Sequence, residues 1–139
     1  MKNTYRDLIE QTFYFPQEGF EVIDNQLHFY GIDLMEIIKQ YGTPLKISYL
    51  PKIGSQIKKA KRIFNVAIAK ADYKGSYTYC YCTKSSHFSF VLDEVLKNEV
   101  HLETSSAYDI QIIRSLYAAK KLDKSITIIC NGFKRDQYI

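Results

Sequence analysis

The chain has 139 residues, of which 46% are hydrophobic and 24% are charged, and its formal net charge is +4. These values are typical of one soluble globular domain, and no apolar run approaches the roughly 20 residues that a membrane-spanning helix needs. The first residues lack the apolar core of a signal peptide, so we expect a cytoplasmic protein without a membrane partner.

Residues 1–43 predict a small N-terminal extension made of a hairpin and a helix. Phe20 to Tyr30 is typical of two short strands around an Asp24-Asn25 turn. Asp33-x-x-Glu36 then matches a capping box at the start of a helix, which Gly42 and Pro44 end.

From residue 44 onward, predicted strands alternate with predicted helices. The strands span residues 45–50, 77–83, 100–104 and 125–130, and apolar residues repeat at helical spacing between them. Pro51 opens the first of these helices, Ser85 and Ser86 open the second, and a Ser106-x-x-Asp109 capping box opens the third. The pattern indicates an α/β fold with a parallel sheet and right-handed crossovers.

The length limits the architecture that these βα units can form. A closed eight-unit barrel needs about 250 residues. We therefore expect either a small open α/β domain or the leading part of a longer protein. The glycine-rich motifs of nucleotide-binding loops are missing from the sequence, which weakens a nucleotide-binding interpretation.

The cysteines and the basic residues point to no metal or nucleic acid site. The chain has three cysteines, and the Cys80-x-Cys82 spacing fits neither a zinc site nor a redox Cys-x-x-Cys motif. We expect them to be reduced thiols that serve as small core residues. The basic run from Lys58 to Arg62 lies on a predicted helix whose other face is apolar, which favours a solvated surface over nucleic acid binding.

Lys84 is the main candidate for chemistry because it ends a predicted buried strand. Such strands rarely contain a lysine unless it is paired or bonded. The carboxyl end of a strand is where α/β folds place reactive groups, and a lysine there can form a Schiff base with a carbonyl cofactor such as pyridoxal phosphate. The alternative is an ordinary solvated lysine, which is more common in βα loops.

Strand alternation predicts the neighbours of Lys84. It places Lys84 on the same face as Cys80 and Cys82, with the tyrosines of that strand on the other face. On the next strand Glu103 shares a face with His101, so Glu103 is expected near Lys84. The two would form either a pair that stabilises a protonated amine or imine, or a buried ion pair without chemistry.

Serines stand where two of these helices are expected to begin. For Ser85, Ser86, Ser105 and Ser106, N-capping is the favoured role over contact with an anionic ligand.

Four stretches resemble the biosynthetic arginine decarboxylases, which are fold-type III, alanine-racemase-like enzymes that depend on pyridoxal 5'-phosphate. The match covers about 100 residues. Its most specific part is Cys-Asn-Gly-Phe-Lys followed by Tyr-Ile. The stretches are residues 41–45, 81–84, 102–106 and 129–134, the last together with residues 138–139.

The resemblance implies that residues 44–139 are the first half of a pyridoxal-phosphate-binding (β/α)8 barrel, a partial TIM barrel. It implies that Lys84 holds the cofactor, that Glu103 is its acidic neighbour and that Cys82 takes a small inward position. The implied reaction converts L-arginine to agmatine for polyamine synthesis, in a homo-oligomer. Ser86 departs from the family, which commonly has asparagine there.

Much of the family's active site lies later in its sequence than these 139 residues. This includes the histidine that stacks on the cofactor, the phosphate loop and the acid facing the pyridine nitrogen. We therefore expect this chain alone to be inactive. The alternatives are a related decarboxylase acting on diaminopimelate or carboxynorspermidine, and a non-catalytic half-barrel that acts through association.

Overall fold

The computed structural model describes residues 18–134, 136 and 138, and the chain divides into two compact units, Met1–Ile47 and Ser48–Ile139. The sequence predicted a division after residue 43. Residues 1–17, which belong to the predicted N-terminal extension, lie outside the described residues. Within the described ranges, no helix combines the length and the apolar character needed to cross a membrane.

The first unit contains the predicted hairpin and helix. Strands β1 (Phe20–Ile23) and β2 (Gln26–Phe29) pair in antiparallel fashion. The two turn residues between them both have positive φ, 48° and 66°, as in the tight turn that suits twisted strands. A two-residue strand β3 (Ile32–Asp33) also pairs with β2. Sequence reasoning missed it because two residues carry no alternation.

Helix α1 (Leu34–Tyr41) follows β3 and has the predicted ends. Asp33 Oδ1 accepts a hydrogen bond of 2.7 Å from the backbone nitrogen of Met35. Gly42 ends the helix with φ 78°, and its backbone nitrogen donates to the Ile38 carbonyl at 2.7 Å. The Asp33 N-cap and the Gly42 helix end are confirmed, because capping depends on residues close in sequence. The reciprocal Glu36 contact of the predicted capping box is not among the contacts that cap this helix.

The second unit is a three-stranded parallel sheet with helices. Its elements are, in chain order, α2 (Pro51–Lys70), β4 (Cys80–Cys82), a 3-10 turn (Thr83–Ser85), α3 (Ser89–Leu96), β5 (His101–Thr104), α4 (Ala107–Ala118) and β6 (Ile128–Cys130). The strand order is β4-β5-β6, and both neighbouring pairs are parallel. The predicted α/β class with parallel strands is confirmed, whereas closure into a barrel remains a prediction.

The strand predicted at residues 45–50 is wrong. The segment forms no ladder with any described strand, and Leu45 and Ile47 are 37% and 42% exposed. A strand needs a neighbour to accept its backbone hydrogen bonds, so an apolar pattern alone does not make one. The strands predicted at 77–83 and 125–130 are shorter than expected for the same reason, since pairing is confined to β4 and β6.

The core lies between the helices and one face of the sheet. Leu102 is fully buried from the middle strand, and Tyr81 of β4 packs against both core clusters. One cluster joins α2 and α3, and the other joins α3 and α4: the members are Ile57, Val91, Val95 and Val100 in the first, and Leu92, Leu102, Leu116 and Leu122 in the second. The opposite face of the sheet is only half-buried. We call it the open face, and it carries Cys80, Cys82, His101 and Glu103.

Candidate functional site

Lys84 lies at the carboxyl end of the parallel sheet, in the 3-10 turn that follows β4. Because the strand ends at Cys82, the alternation that was expected to place Lys84 beside the cysteines stops two residues before it. The side chain is exposed. It forms no hydrogen bond or ion pair with any residue in the described ranges, so its amine is accessible from solvent.

The turn that carries Lys84 is fastened to the middle strand. Thr83 is fully buried, and its hydroxyl donates to the backbone carbonyl of Glu103 at 3.1 Å. Tyr81 supports the other side of the turn, since its hydroxyl donates to the Ser86 carbonyl at 2.9 Å. The lysine backbone is therefore fixed beside the end of β5.

Glu103 is on the open face, as predicted, and its role as the acidic neighbour of a ligand on Lys84 stays a prediction. No ion pair joins the two side chains. The Glu103 carboxylate instead accepts hydrogen bonds on Oε1 from Cys82 Sγ at 3.6 Å and from Asn131 Nδ2 at 3.0 Å. The turn after β4 interrupts the strand geometry from which the ion pair was inferred.

The predicted division of side chains between the faces is confirmed for β4 and β5. Cys80 pairs in register with His101, and Cys82 pairs with Glu103, so all four share the open face. Tyr81 and Leu102 lie under the helices. Small and polar side chains therefore line the open face.

Burial raises the pKa of the Cys80 thiol, and the negative charge of Glu103 raises it further. Cys80 is thus held in its protonated form, because both a low-dielectric surrounding and a nearby anion disfavour a thiolate. It is a poor nucleophile. Within the described residues, no group of three His, Cys, Asp or Glu side chains is arranged to hold a metal ion.

Asn131 is a site residue that sequence reasoning missed. It follows β6, and its side-chain amide reaches Glu103 while its backbone nitrogen donates to the Thr104 carbonyl at 2.8 Å. The signal was present, since Asn131-Gly132 belongs to the most specific stretch of the resemblance. That stretch was assigned no contact because the partners are distant in sequence.

The serines behave differently at the two helix starts. Ser106 caps α4 with a complete capping box, so that prediction is confirmed. Ser85 and Ser86 do not cap α3, which begins at Ser89 after Phe88 and lacks a side-chain cap. The predicted N-cap roles of these two serines are wrong, because the 3-10 turn takes up the residues that were expected to open the helix.

Asp109 completes the capping box at the end of the sheet. Its carboxylate accepts hydrogen bonds of 2.9 Å from the backbone nitrogens of Ser105 and Ser106. Burial alone would raise the pKa of Asp109, but these hydrogen bonds and that of the Ser106 hydroxyl outweigh it and lower the pKa. The amides at the start of α4 are thus already occupied by a carboxylate. The Ser105 hydroxyl oxygen is buried without a partner in the described part of the chain.

Three curated relatives bear the name biosynthetic arginine decarboxylase. The protein from Pseudomonas aeruginosa is 25% identical over 116 residues, which is 78% of this chain. Those from Vibrio vulnificus and Shewanella sediminis are 26% identical over 141 residues and 28% identical over 122 residues, or 88% and 79% of this chain.

The chain spans only 18–22% of the length of these relatives. No protein-family model matches it. The predicted resemblance is nevertheless confirmed over most of the chain, which is a distant relative of part of the biosynthetic arginine decarboxylases.

Proposed function

We propose that this chain is part of a pyridoxal-phosphate-dependent enzyme that removes the α-carboxylate of L-arginine, giving agmatine and CO2 for polyamine synthesis. The observation that carries the proposal is the placement of Lys84. Its amine is exposed, has no ion-pair partner among the described residues, and lies at the carboxyl end of a parallel sheet. That edge is where α/β folds bind their ligands.

The side chains at this edge fit the chemistry of the cofactor. An exposed amine without an ion-pair partner among the described residues is accessible to an aldehyde, with which it can form an imine. Glu103 supplies a carboxylate on the open face, where it can accept a hydrogen bond from a cationic nitrogen. When bound, pyridoxal phosphate supplies an electron sink for the bond that is broken at the substrate α-carbon.

The chain's own residues then have distinct roles. Lys84 Nζ would hold the cofactor covalently until the substrate amine displaces it. Glu103 would keep negative charge beside that nitrogen and so favour its protonated form. Cys82 would leave room on the open face and donate its weak hydrogen bond to the carboxylate.

We expect the 139-residue chain alone not to decarboxylate arginine. It spans about a fifth of its relatives' length, and the resemblance assigns the phosphate loop and the acid facing the pyridine nitrogen to other parts of the enzyme. Without those groups the affinity for the cofactor and the tuning of its ring fall. Agmatine formed by the purified chain would contradict this expectation.

The proposal is tested by covalent trapping. The chain is incubated with pyridoxal phosphate, reduced with borohydride and mapped by peptide mass spectrometry. We expect the label on Lys84, its loss in Lys84→Arg, and its retention in Lys59→Arg, which changes an exposed lysine of α2. Labelling that is spread over other lysines, or is unchanged in Lys84→Arg, would overturn the proposal.

The second candidate function is that of a non-catalytic half-barrel, which acts by associating with another chain. It is favoured by β4, which has only one neighbouring strand among the described elements and leaves the other edge free to pair. In that case the chain would sediment as an oligomer while Lys84 remained unlabelled. Labelling of Lys84 in an oligomer would instead fit the proposed homo-oligomeric decarboxylase.

A further inference from the structure

The Glu103 carboxylate accepts hydrogen bonds from residues on both sides of its own strand. It lies on the middle strand β5, and its Oε1 accepts from Cys82 of β4 at 3.6 Å and from Asn131, which follows β6, at 3.0 Å. Both donors use the same oxygen. Its other oxygen, Oε2, accepts no hydrogen bond from the described residues, and is therefore the oxygen left for a ligand.

The Asn131 amide can present only its nitrogen to Glu103. Asn131 Oδ1 is occupied, because it accepts a hydrogen bond of 2.7 Å from the backbone nitrogen of Gly132. The backbone nitrogen of Asn131 is bound to the Thr104 carbonyl at 2.8 Å, which aligns the residue with the end of β5. The amide oxygen of Asn131 is therefore engaged with Gly132, and the amide nitrogen is engaged with Glu103.

The turn that carries Asn131 is itself closely built. Gly132 has φ 81°, and a Cβ at this position would lie 2.9 Å from the Ser105 carbonyl oxygen. Lys134 Nζ donates to the carbonyls of Cys130 and Gly132 at 2.8 and 2.9 Å. The turn is therefore a fixed support, and the amide of Asn131 reaches Glu103 from a defined position.

We propose that Asn131 is a positioning residue. It holds the Glu103 carboxylate so that the second oxygen accepts a hydrogen bond from the nitrogen of a ligand carried on Lys84. The 3.1 Å hydrogen bond between the Thr83 hydroxyl and the Glu103 carbonyl places the backbone of Lys84, the next residue, beside Glu103 at the end of β5, so a ligand on the lysine side chain would be carried at the same edge of the sheet. This inference rests on the proposed function.

The test follows the visible absorbance of the complex between the chain and pyridoxal phosphate as a function of pH. In Glu103→Gln the midpoint of the spectral change falls by about one pH unit, because an anion that favours the protonated nitrogen is removed. Asn131→Ala leaves the Glu103 charge in place but releases the carboxylate from its position. When Glu103 is unchanged, we therefore expect this variant to lower the midpoint by about half a pH unit.

The double variant separates positioning from a structural role. In Glu103→Gln, the further change Asn131→Ala should leave the midpoint unmoved, because the carboxylate that Asn131 orients is already gone. An equal effect of Asn131→Ala in both backgrounds would show that Asn131 acts only through the turn. A wild-type midpoint in Asn131→Ala would also overturn the proposal.

A second measurement needs no cofactor. The side-chain amide resonances of Asn131 in a nitrogen-15 spectrum should move with the ionisation of Glu103, and this movement should disappear in Glu103→Gln. Resonances that are indifferent to Glu103 would overturn the positioning role by themselves. If the chain forms no complex at Lys84, the proposed function fails, and the ligand part of this inference fails with it.

Discussion

The hydroxyl of Thr83 donates to the backbone carbonyl of Glu103 at 3.1 Å, and this one bond joins the turn that carries Lys84 to the strand that carries the acid. Thr83 is fully buried, so its hydroxyl cannot exchange the bond for one with water. The positions of the candidate lysine and of its acidic neighbour are thereby linked through the backbone, although their side chains do not pair.

Replacing Thr83 with valine should loosen this link. Valine keeps the shape but has no donor, so the part-buried Glu103 carbonyl loses its partner at a cost of about 1–2 kcal/mol in the free energy of unfolding. Urea unfolding measures the loss, and hydrogen exchange should rise at residues 83–86. Thr83→Ser is the matched control, since it retains the hydroxyl. If serine and valine gave the same exchange rates in this turn, the hydrogen bond would not be what holds it.

Asp109 should make the free energy of unfolding depend on pH under acidic conditions. Its pKa is lowered in the folded chain, so its contribution is complete above the unfolded pKa of about 3.9 and is lost as the pH falls toward the folded pKa. Asp109→Asn should therefore cost about 1–2 kcal/mol at pH 7 and progressively less below about pH 4. Unfolding in urea at several pH values tests this. Asp72→Asn, at an exposed site, should give a small difference without that trend.

Gly132→Ala should destabilise the turn after β6 by more than the cost of placing alanine at a positive φ alone. A positive φ costs a non-glycine residue about 1–2 kcal/mol, and here the added Cβ would also meet the Ser105 carbonyl at 2.9 Å. Gly31→Ala is the control, because Gly31 has φ 77° but no atom within 4 Å of an added Cβ. Hydrogen exchange measured around each turn should show the larger effect at Gly132, and equal effects would argue against the contact.

Local features of this chain were predictable from sequence, and features that depend on distant partners were not. The Ser106–Asp109 capping box and the Asp33 cap involve residues two or three positions apart, so their spacing carries the information. The Asn131–Glu103 bond joins residues 28 positions apart, and no local pattern encodes it.

The two misplaced elements have the same cause. The segment at residues 45–50 is apolar enough for a strand but has no neighbour to pair with in the described structure. The turn at Lys84 follows a typical strand pattern, yet the buried Thr83 contact bends the chain out of the ladder. In both cases the tertiary partner, and not the propensity, decides the conformation.

Lys61 should stabilise the packing of α2 against the end of α3. Its Nζ donates to the carbonyls of Asn98 and Glu99 at 2.9 and 2.8 Å, which satisfies oxygens just beyond the helix. Lys61→Met keeps the apolar stem but removes the donor, so the free energy of unfolding should fall by about 1–2 kcal/mol. Lys58→Met changes an exposed lysine of the same helix and should have little effect. Equal losses in the two variants would show that the contact contributes nothing.

The electrostatic coupling between Glu103 and Cys80 should be measurable as thiol reactivity. Burial is the larger cause of the raised pKa of Cys80, and the Glu103 charge is the smaller one. Glu103→Gln removes only the charge, so the pKa should fall toward its usual range without reaching it. Because the thiolate is the nucleophile, alkylation of Cys80 near pH 8 should accelerate by about two- to fivefold.

This coupling can be measured within one protein. Iodoacetamide labelling followed by tandem mass spectrometry resolves each cysteine, and the exposed Cys130 serves as an internal reference. Glu99→Gln removes the same charge at an exposed position, so it should leave the Cys80 rate unchanged. If Glu99→Gln accelerated Cys80 as much as Glu103→Gln did, net charge would be responsible. The Glu103 carboxylate, which lies opposite Cys82 and diagonal to Cys80 on the open face, would then not be holding the Cys80 thiol protonated.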